Sequence, residues 1–242
     1  MLETNFPKSK NVSQYGISVN RKAFDEQLIQ NAKDCGVSIL FNKTITKIEE
    51  GPSFWSLKDL KNNQYKSRLL IGADGKRSFV SKILGLNLEL KRSRVAIHCW
   101  KTLDQEIERK GQMHILSDGS YIGLDPTGPH EINISLVCDP KAIKNNGGQI
   151  ATLNKYLNES SFLKEFIGSL DKDQRIFTVS PVSHKVKKGI YNNAALIGDA
   201  QGFTDPLTGE GIFNALWTAR ALAQEIILHP HGGFDYSRAL KR

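Results

Sequence analysis

The sequence has little cysteine and no long apolar segment. Cys35, Cys99 and Cys138 are the three cysteines among 242 residues, which is too few for a disulfide framework or a zinc site. Each lies among apolar residues, so we predict three buried, reduced thiols. No apolar run approaches the roughly 20 residues that a membrane span needs, and no signal peptide is recognisable. We therefore expect a cytoplasmic protein.

The chain also lacks a concentrated basic surface, although its net charge is +8. The two basic clusters, at 91–94 and 185–188, have no interleaved aromatic residues, which argues against nucleic-acid binding. We interpret these clusters as solvated surface, with a phosphate-bearing ligand or peripheral contact with a membrane as the alternative. His229 and His231 have no further ligands at a useful spacing, so we predict no metal site.

The first part of the chain alternates helical and extended patterns. Apolar residues at helical spacing between Asn20 and Gly36 predict a helix that Asn20 caps and Gly36 ends. The next patterns predict a strand over 37–40, strands over 54–58 and 65–71, and a short helix over 78–84.

The middle of the chain is typical of an antiparallel sheet. Four strands are predicted without intervening helices, over 94–100, 111–116, 121–124 and 131–137. A helix over 150–170 and strands over 175–182 and 184–186 follow. The sequence thus predicts an α/β (α+β) chain in three stretches, 1–90, 91–182 and 183–242, in which the outer two share one layer system.

A short apolar run, residues 194–197, ends in Gly198 and Asp199. We interpret it as a buried parallel strand, and ligands of open α/β sheets bind beyond the carboxyl ends of such strands. The Asp199 carboxylate could accept hydrogen bonds from the hydroxyls of a ribose or ribityl chain. Alternatively, Asp199 caps the next helix.

Residues 205–212 lead into a helix that begins near Gly209 and Gly211. Two glycines at this position let the backbone approach a flat ligand closely. The first N–H groups of the helix and the positive end of its dipole would then face that ligand.

These residues resemble a known flavoprotein class. Gly198 and Asp199 with the downstream PLTGEG are similar to the GD motif of the class that includes para-hydroxybenzoate hydroxylase, and GDAQGFTDPLTGEGI is most similar to its geranylgeranyl reductase branch. The resemblance implies FAD as cofactor and NAD(P)H as a possible electron donor. It also implies an incomplete FAD-binding Rossmann-like domain with an inserted antiparallel-sheet substrate domain.

The resemblance also implies site residues. Residues 71–80 resemble the DG motif, whose aspartate, here Asp74, lies near the ribityl and pyrophosphate groups and supports the approach of NAD(P)H. Arg21 matches an arginine at a helix start that reaches the FAD. Residues 119–126 resemble a strand that faces the substrate cavity. The cofactor-binding residues implied are Arg21, Asp74, Gly198, Asp199, Pro206, Thr208, Gly209, Gly211 and Ile212.

One element of the class is missing from these 242 residues. The Gly-x-Gly-x-x-Gly turn that binds the pyrophosphate occurs nowhere in the sequence. We therefore expect a fragment, a truncated reading frame or a degraded paralogue; a variant that binds FAD without this turn is the alternative.

Two reaction classes follow from the resemblance. A reductase would pass hydride to a carbon–carbon double bond of an isoprenoid lipid, whereas a hydroxylase would insert oxygen into a small aromatic substrate. Many hydroxylases of the class have a histidine after the Gly-Asp-Ala-Ala unit, where this chain has Gly202 and Phe203, which favours the reductase. A third hypothesis is an inactive flavin-binding module. The flavin performs the chemistry in both enzymes, so we name no catalytic acid or base.

Overall fold

The computed structural model describes residues 19–88, 94–203 and 205–230. The helices in these residues are α1 Arg21–Asp34, α2 Phe79–Ile83, α3 Pro140–Asn145, α4 Gln149–Asn158, α5 Ser161–Ile167 and α6 Gly211–Leu228. The strands before the middle sheet are β1 Ile45–Glu50, β2 Trp55–Asp59, β3 Gln64–Ser67, β4 Leu70–Gly72 and β5 Asn87–Leu88. The remaining strands are β6 Val95–Thr102, β7 Gln112–Ile115, β8 Tyr121–Pro126, β9 Glu131–Cys138, β10 Phe177–Val179, β11 His184–Val186, β12 Ile190–Tyr191, β13 Ala194–Leu196 and β14 Gly202–Phe203.

A three-stranded sheet brings distant parts of the chain side by side. Its order is β12-β13-β4, and β13 pairs with β4 in parallel. The two segments also share one apolar core, to which Trp55, Leu70 and Val80 contribute from the first part and Ala194 and Leu196 from the last. Strand pairing and packing thus join the first and the last part of the chain.

The middle of the chain forms a five-stranded sheet in the order β10-β6-β9-β8-β7, with every neighbouring pair antiparallel. One face packs against α4 and α5 through buried residues such as Ile97, Ile134, Leu153 and Leu163. The predicted antiparallel sheet is confirmed, and so is the mixed α/β class.

Several hydrogen bonds join the middle sheet to the rest of the chain. Arg77, within the DG motif, donates to the carbonyl of Ser180 over 2.9 Å. Within the middle stretch itself, the backbone N–H of Val182 donates to the carbonyl of Arg94 over 3.2 Å. A further small sheet has the order β14-β11-β5. Its central strand, β11, follows the middle region in sequence and pairs with β5 from before that region and with β14 from after it. The exact boundaries at 90 and 182 remain a prediction.

The structure corrects two predicted strands in the first part. Residues 37–40 form no strand, and the side chains of Val37 and Leu40 are 53% and 60% exposed. The predicted strand over 65–71 is two strands in different sheets, because β3 pairs with β2 and β4 pairs with β13. Local sequence pattern does not reveal such a change of partner.

Three other predictions also need correction. The helix predicted over 150–170 is divided into α4 and α5, since the hydroxyl of Ser160 caps α5 through the N–H of Leu163. Helix α3, which Asp139 caps, was not predicted. The strand predicted over 175–182 is limited to β10.

The first helix, α1, has the predicted N-cap but not the predicted burial. Asn20 accepts a hydrogen bond from the N–H of Ala23, and Gly36 follows with φ +85°. None of its residues is buried, and Cys35 is exposed, whereas Cys99 and Cys138 are buried. The prediction of three buried thiols is therefore wrong for Cys35, because no described element covers this face of the helix.

Candidate functional site

The parallel pair β4 and β13 carries both predicted motifs to one edge of the sheet. Gly72 pairs with Leu196, and the N–H of Ile197 donates to the carbonyl of Gly72 over 3.0 Å. Asp74 and Asp199 follow these paired residues by two and three positions. Since neighbouring strands lie about 4.7–4.9 Å apart, both aspartates leave the sheet at its carboxyl edge, where α/β ligands bind.

The charges near this edge interact. Burial lowers the pKa of Lys76 and the nearby cation of Arg77 lowers it further, while the Asp199 carboxylate opposes both effects. Lys76 belongs to the DG motif, and Asp199 belongs to the GD motif. The structure therefore brings the two motifs within electrostatic reach of each other, although they lie far apart in the sequence.

Gly72, the first glycine of the DG motif, allows the close packing that aligns this edge. A Cβ at Gly72 would lie 2.7 Å from Cδ2 of Leu196 and 2.9 Å from Cβ of Val80. Only a residue without a side chain fits between β13 and α2 at these distances.

Gly198 fixes the turn of the GD motif against α6. Its φ is +56°, and a Cβ there would lie 3.2 Å from Cβ of Ala215. Its N–H donates to the hydroxyl of Thr218 over 2.8 Å, and this hydroxyl donates in turn within α6 to the carbonyl of Asn214 over 2.7 Å. The position of Asp199 is thus set by both β13 and α6.

The Asp199 carboxylate is half-buried and has no hydrogen bond to any described residue. Asp199 lies within a short 3₁₀ turn, Gly198–Ala200, that has no side-chain cap, and the N-cap position of α6 is Glu210. The alternative that Asp199 caps the next helix therefore does not match the described geometry. The oxygens of this partly buried carboxylate therefore have unused capacity to accept hydrogen bonds.

Asp74 is more exposed and already has partners. Its Oδ2 accepts hydrogen bonds from the N–H groups of Phe79 and Val80, over 2.7 and 3.1 Å. It therefore binds the first two N–H groups of α2 beside the N-cap residue, Ser78, and both of these bonds use the same oxygen. Asp74 has a structural role whether or not it also contacts a cofactor.

The loop 205–211 reverses the chain and starts α6. Asp205 caps a 3₁₀ turn, Pro206–Thr208, and Gly209 follows with a left-handed φ of +69°. Pro206 is exposed and Ile212 is half-buried; the side chain of Thr208 lies outside the described part. A Cβ at Gly209 or at Gly211 would meet no described atom within 4 Å, so the described part of the chain leaves the space at the start of α6 open.

Arg21 is not brought to this site by any described bond. Its guanidinium pairs with Asp25 on the same helix over 3.0 Å, and its side chain is 65% exposed. No described hydrogen bond or ion pair joins it to the two motifs.

Sequence reasoning missed the side chains that hold Asp205. The Tyr121 hydroxyl donates to Asp205 Oδ1, and Arg94 lies 3.5 Å from Asp205 Oδ2. The three residues are separated by 27 and 84 positions, so no local spacing could have indicated their contact. Tyr121 drew attention only as part of the strand in 119–126.

Comparisons with known proteins agree with this geometry. The sequence profile of the FAD binding domain family matches residues 9–235. A digeranylgeranylglycerophospholipid reductase from Methanocella arvoryzae is 26% identical over 246 residues, which cover 95% of this chain and 59% of that protein. Digeranylgeranylglycerophospholipid reductase 1 from Methanococcoides burtonii is 28% identical over 216 residues, covering 84% and 50%. The chain thus spans about half the length of these relatives.

Solved structures show the same fold at lower identity. The flavin-dependent halogenase CmlS superposes with a TM-score of 0.81 at 20% identity, over 93% of this chain and 43% of that one. A flavoprotein/dehydrogenase from Cytophaga hutchinsonii gives a TM-score of 0.79 at 16% identity, over 96% and 60%.

The predicted flavoprotein resemblance and its geranylgeranyl reductase branch are therefore confirmed by the profile and by the names of the relatives. FAD is the cofactor that the matched family binds. Two motifs at one sheet edge and a profile match over most of the sequence lead to one conclusion: the chain belongs to the FAD binding domain family.

Proposed function

We propose that this chain is part of an FAD-dependent reductase that saturates carbon–carbon double bonds of an isoprenoid lipid. When bound, reduced FAD supplies the hydride, and the resemblance leaves NAD(P)H or a ferredoxin-like protein as the possible electron donor. The relatives named digeranylgeranylglycerophospholipid reductase support this class of substrate. A lipid substrate would also explain peripheral contact with a membrane; within the described residues no helix has the length and apolarity to cross one.

One observation carries the proposal. The Asp199 carboxylate lies at the carboxyl edge of the β4–β13 pair, half-buried and without a hydrogen bond to the described residues. A carboxylate in this position suits the ribityl hydroxyls of a flavin, because each hydroxyl can donate one hydrogen bond to it.

The start of α6 fits the ring system of the same cofactor. Gly209 and Gly211 leave open space there, since a Cβ at either would meet no atom within 4 Å. The side chain of the N-cap residue, Glu210, makes no capping hydrogen bond to the first turn of this 18-residue helix. The first backbone N–H groups and the positive end of the dipole would stabilise negative charge on a ligand placed in that space.

The backbone at Gly202 favours a reductase over a hydroxylase. Gly202 occupies the place where many hydroxylases of the class have histidine. Here its φ is +128°, and a Cβ would lie 3.0 Å from the carbonyl oxygen of His184. A histidine at this position would be strained, so the local backbone of β14 is adapted to glycine.

The face of the middle sheet opposite α4 and α5 suits an apolar substrate. Gly123 and Ser135 pair on neighbouring strands and form a floor of small residues. Large apolar side chains flank this floor and are partly exposed: Met113, Ile115, Trp100 and Phe177. Tyr121, at one end of this face, connects it to the loop 205–211. An isoprenoid chain could bury apolar surface here.

The proposal is tested by the mass of the product. Purified protein is supplied with FAD, a reductant and a lipid with geranylgeranyl chains, under nitrogen and under air. We expect the lipid to gain two hydrogen atoms per double bond in both atmospheres. A gain of one oxygen atom that occurs only in air would identify a hydroxylase instead. Protein that never retains flavin and converts no lipid would favour the inactive binding module.

A further inference from the structure

The carboxylate of Asp205 is held by groups from three segments of the chain. Its Oδ1 accepts hydrogen bonds from the Tyr121 hydroxyl and, over 3.1 Å, from the N–H of Leu207. Its Oδ2 lies 3.5 Å from Nη1 of Arg94. Bonds to a charged acceptor are about twice as strong as neutral ones, so this junction is a strong constraint on the loop 205–211.

The two side-chain partners belong to the middle sheet and are themselves fixed. Tyr121 is 5% exposed and packs with Val137 and Val182. The guanidinium of Arg94 lies 5.3 Å from the centre of the Tyr121 ring and donates to the carbonyl of Gly119. Burial, together with the bond to Asp205, raises the pKa of Tyr121, so its hydroxyl stays protonated and donates.

The loop itself has little apolar packing to hold it. Pro206, Leu207 and Gly209 are exposed, and Leu207 exposes 40% of its surface. Inside the loop, the N–H of Gly209 donates to the carbonyl of Pro206 over 3.0 Å, which shapes the turn but does not attach it to the sheet. The position of the loop relative to the sheet therefore depends strongly on Asp205.

We infer that Tyr121 and Arg94 are positioning residues that, through Asp205, fix the loop 205–211 at the flavin-binding start of α6. This inference rests on the proposed function in one respect, namely that the loop contacts flavin. The five-stranded middle sheet would then help directly to shape the cofactor site, although neither Tyr121 nor Arg94 belongs to the two motifs.

The inference is tested first without flavin, by amide hydrogen exchange of the 242-residue chain. Loss of a hydrogen bond to a charged group corresponds to about a 10- to 150-fold change in an equilibrium. We expect Tyr121→Phe to raise exchange at the N–H groups of Leu207 and Gly209 about 10-fold or more. Asp205→Asn, which keeps an acceptor oxygen, should raise it less.

Tyr156→Phe is the matched control. Tyr156 is also 5% exposed, and its hydroxyl donates to a carboxylate, Asp118 Oδ2, over 2.6 Å. It should raise exchange near Asp118 but not in the loop. Equal loop exchange in the wild type, Tyr121→Phe and Arg94→Gln would overturn the inference. If Tyr121→Phe fails to fold, Arg94→Gln tests the same contact with Asp205 on its own.

A second arm measures FAD binding by quenching of FAD fluorescence. Tyr121→Phe should weaken binding, whereas Tyr156→Phe should leave it unchanged. Faster loop exchange with unchanged FAD affinity would show that the loop does not position the cofactor, and the inference would fail. If the wild type binds no FAD at any concentration, the proposed function fails, while the exchange data still decide whether the junction holds the loop.

Discussion

Asp199 and Asp74 lie at the same edge of one sheet but differ in their hydrogen bonds. Asp74 accepts from two backbone N–H groups at the start of α2, whereas Asp199 accepts from no described group. Replacing Asp74 should therefore affect the stability of the fold, and replacing Asp199 should affect what binds to it.

Asp199→Ala is expected to reduce FAD affinity about 10- to 150-fold, because one hydrogen bond to a charged group contributes about 1.5–3 kcal/mol. Asp199→Asn should lose less, since the amide oxygen still accepts. Titration with FAD, followed by fluorescence quenching, measures both. FAD affinity equal to that of the wild type in both the Ala and the Asn variant would show that Asp199 has no part in binding the cofactor.

Asp74→Ala provides the contrast at this scale. It removes the acceptor for the first two N–H groups of α2 while the N-cap, Ser78, stays in place. The loss of such a side-chain acceptor at a helix start costs about 0.5–2 kcal/mol, so its free energy of unfolding should fall by an amount in this range. Asp199→Ala should change the free energy of unfolding much less, because it removes no bond to a described group.

At the scale of elements, a substitution at the start of α6 should affect the stability of the fold and the affinity for FAD differently. Gly211 is the first residue of the helix, its φ is not positive, and a Cβ there would meet no atom within 4 Å. Gly211→Ala should therefore leave the free energy of unfolding unchanged or raise it by up to about 1 kcal/mol. FAD affinity should nevertheless fall, because the new methyl group occupies the open space that we assign to the flavin.

Gly128→Ala is the control for this prediction. Gly128 lies in the turn between β8 and β9, and its Cβ would make an ordinary contact, 3.7 Å from Glu131. Denaturant unfolding and FAD titration of both variants separate the two effects. If Gly211→Ala binds FAD as tightly as Gly128→Ala does, the space at the start of α6 is not the flavin site.

Elements with local signals were predictable from the sequence. Asn20 and Gly36 gave the ends of α1 because caps act within one turn of the chain. Alternation and turn residues predicted β7, β8 and β9, because these hairpin neighbours lie close in sequence. Alternation also predicted β6, but not its pairing with β9 and β10. The run before Gly198 was long enough to indicate β13 but could not indicate that β4 is its partner.

Elements that depend on distant partners were not predictable. Residues 37–40 have the composition of a strand, but strands need a neighbour, and no described strand pairs with them. The change of sheet between β3 and β4 arises from pairing with residues more than a hundred positions away. Propensity describes a fit to a pleated surface and not the identity of the partner.

At the scale of the whole molecule, the candidate site is supported by bonds between the middle stretch of the chain and the two outer stretches. The motifs were visible in the sequence because each is contiguous. The bonds from Arg77 to Ser180 and from Tyr121 and Arg94 to Asp205 were not, since each joins residues from different stretches. The two motifs of the site could therefore be predicted from the sequence, but the long-range bonds that hold them in place could not.

The final prediction concerns the affinity of the 242-residue chain for FAD. Its described motifs can serve the ribityl chain and the ring system, but the sequence contains no Gly-x-Gly-x-x-Gly turn for the two phosphates. Several charge-assisted hydrogen bonds, at about 1.5–3 kcal/mol each, are then not made. We expect binding weaker than micromolar by fluorescence titration, and tighter binding after fusion of a βαβ segment with this turn from a relative. Because Asp199 and α6 are built correctly in either case, Asp199→Ala should weaken binding by the same factor in both proteins. A sub-micromolar affinity of the unfused chain would mean that the GD motif and α6, and not the phosphate turn, dominate the binding energy.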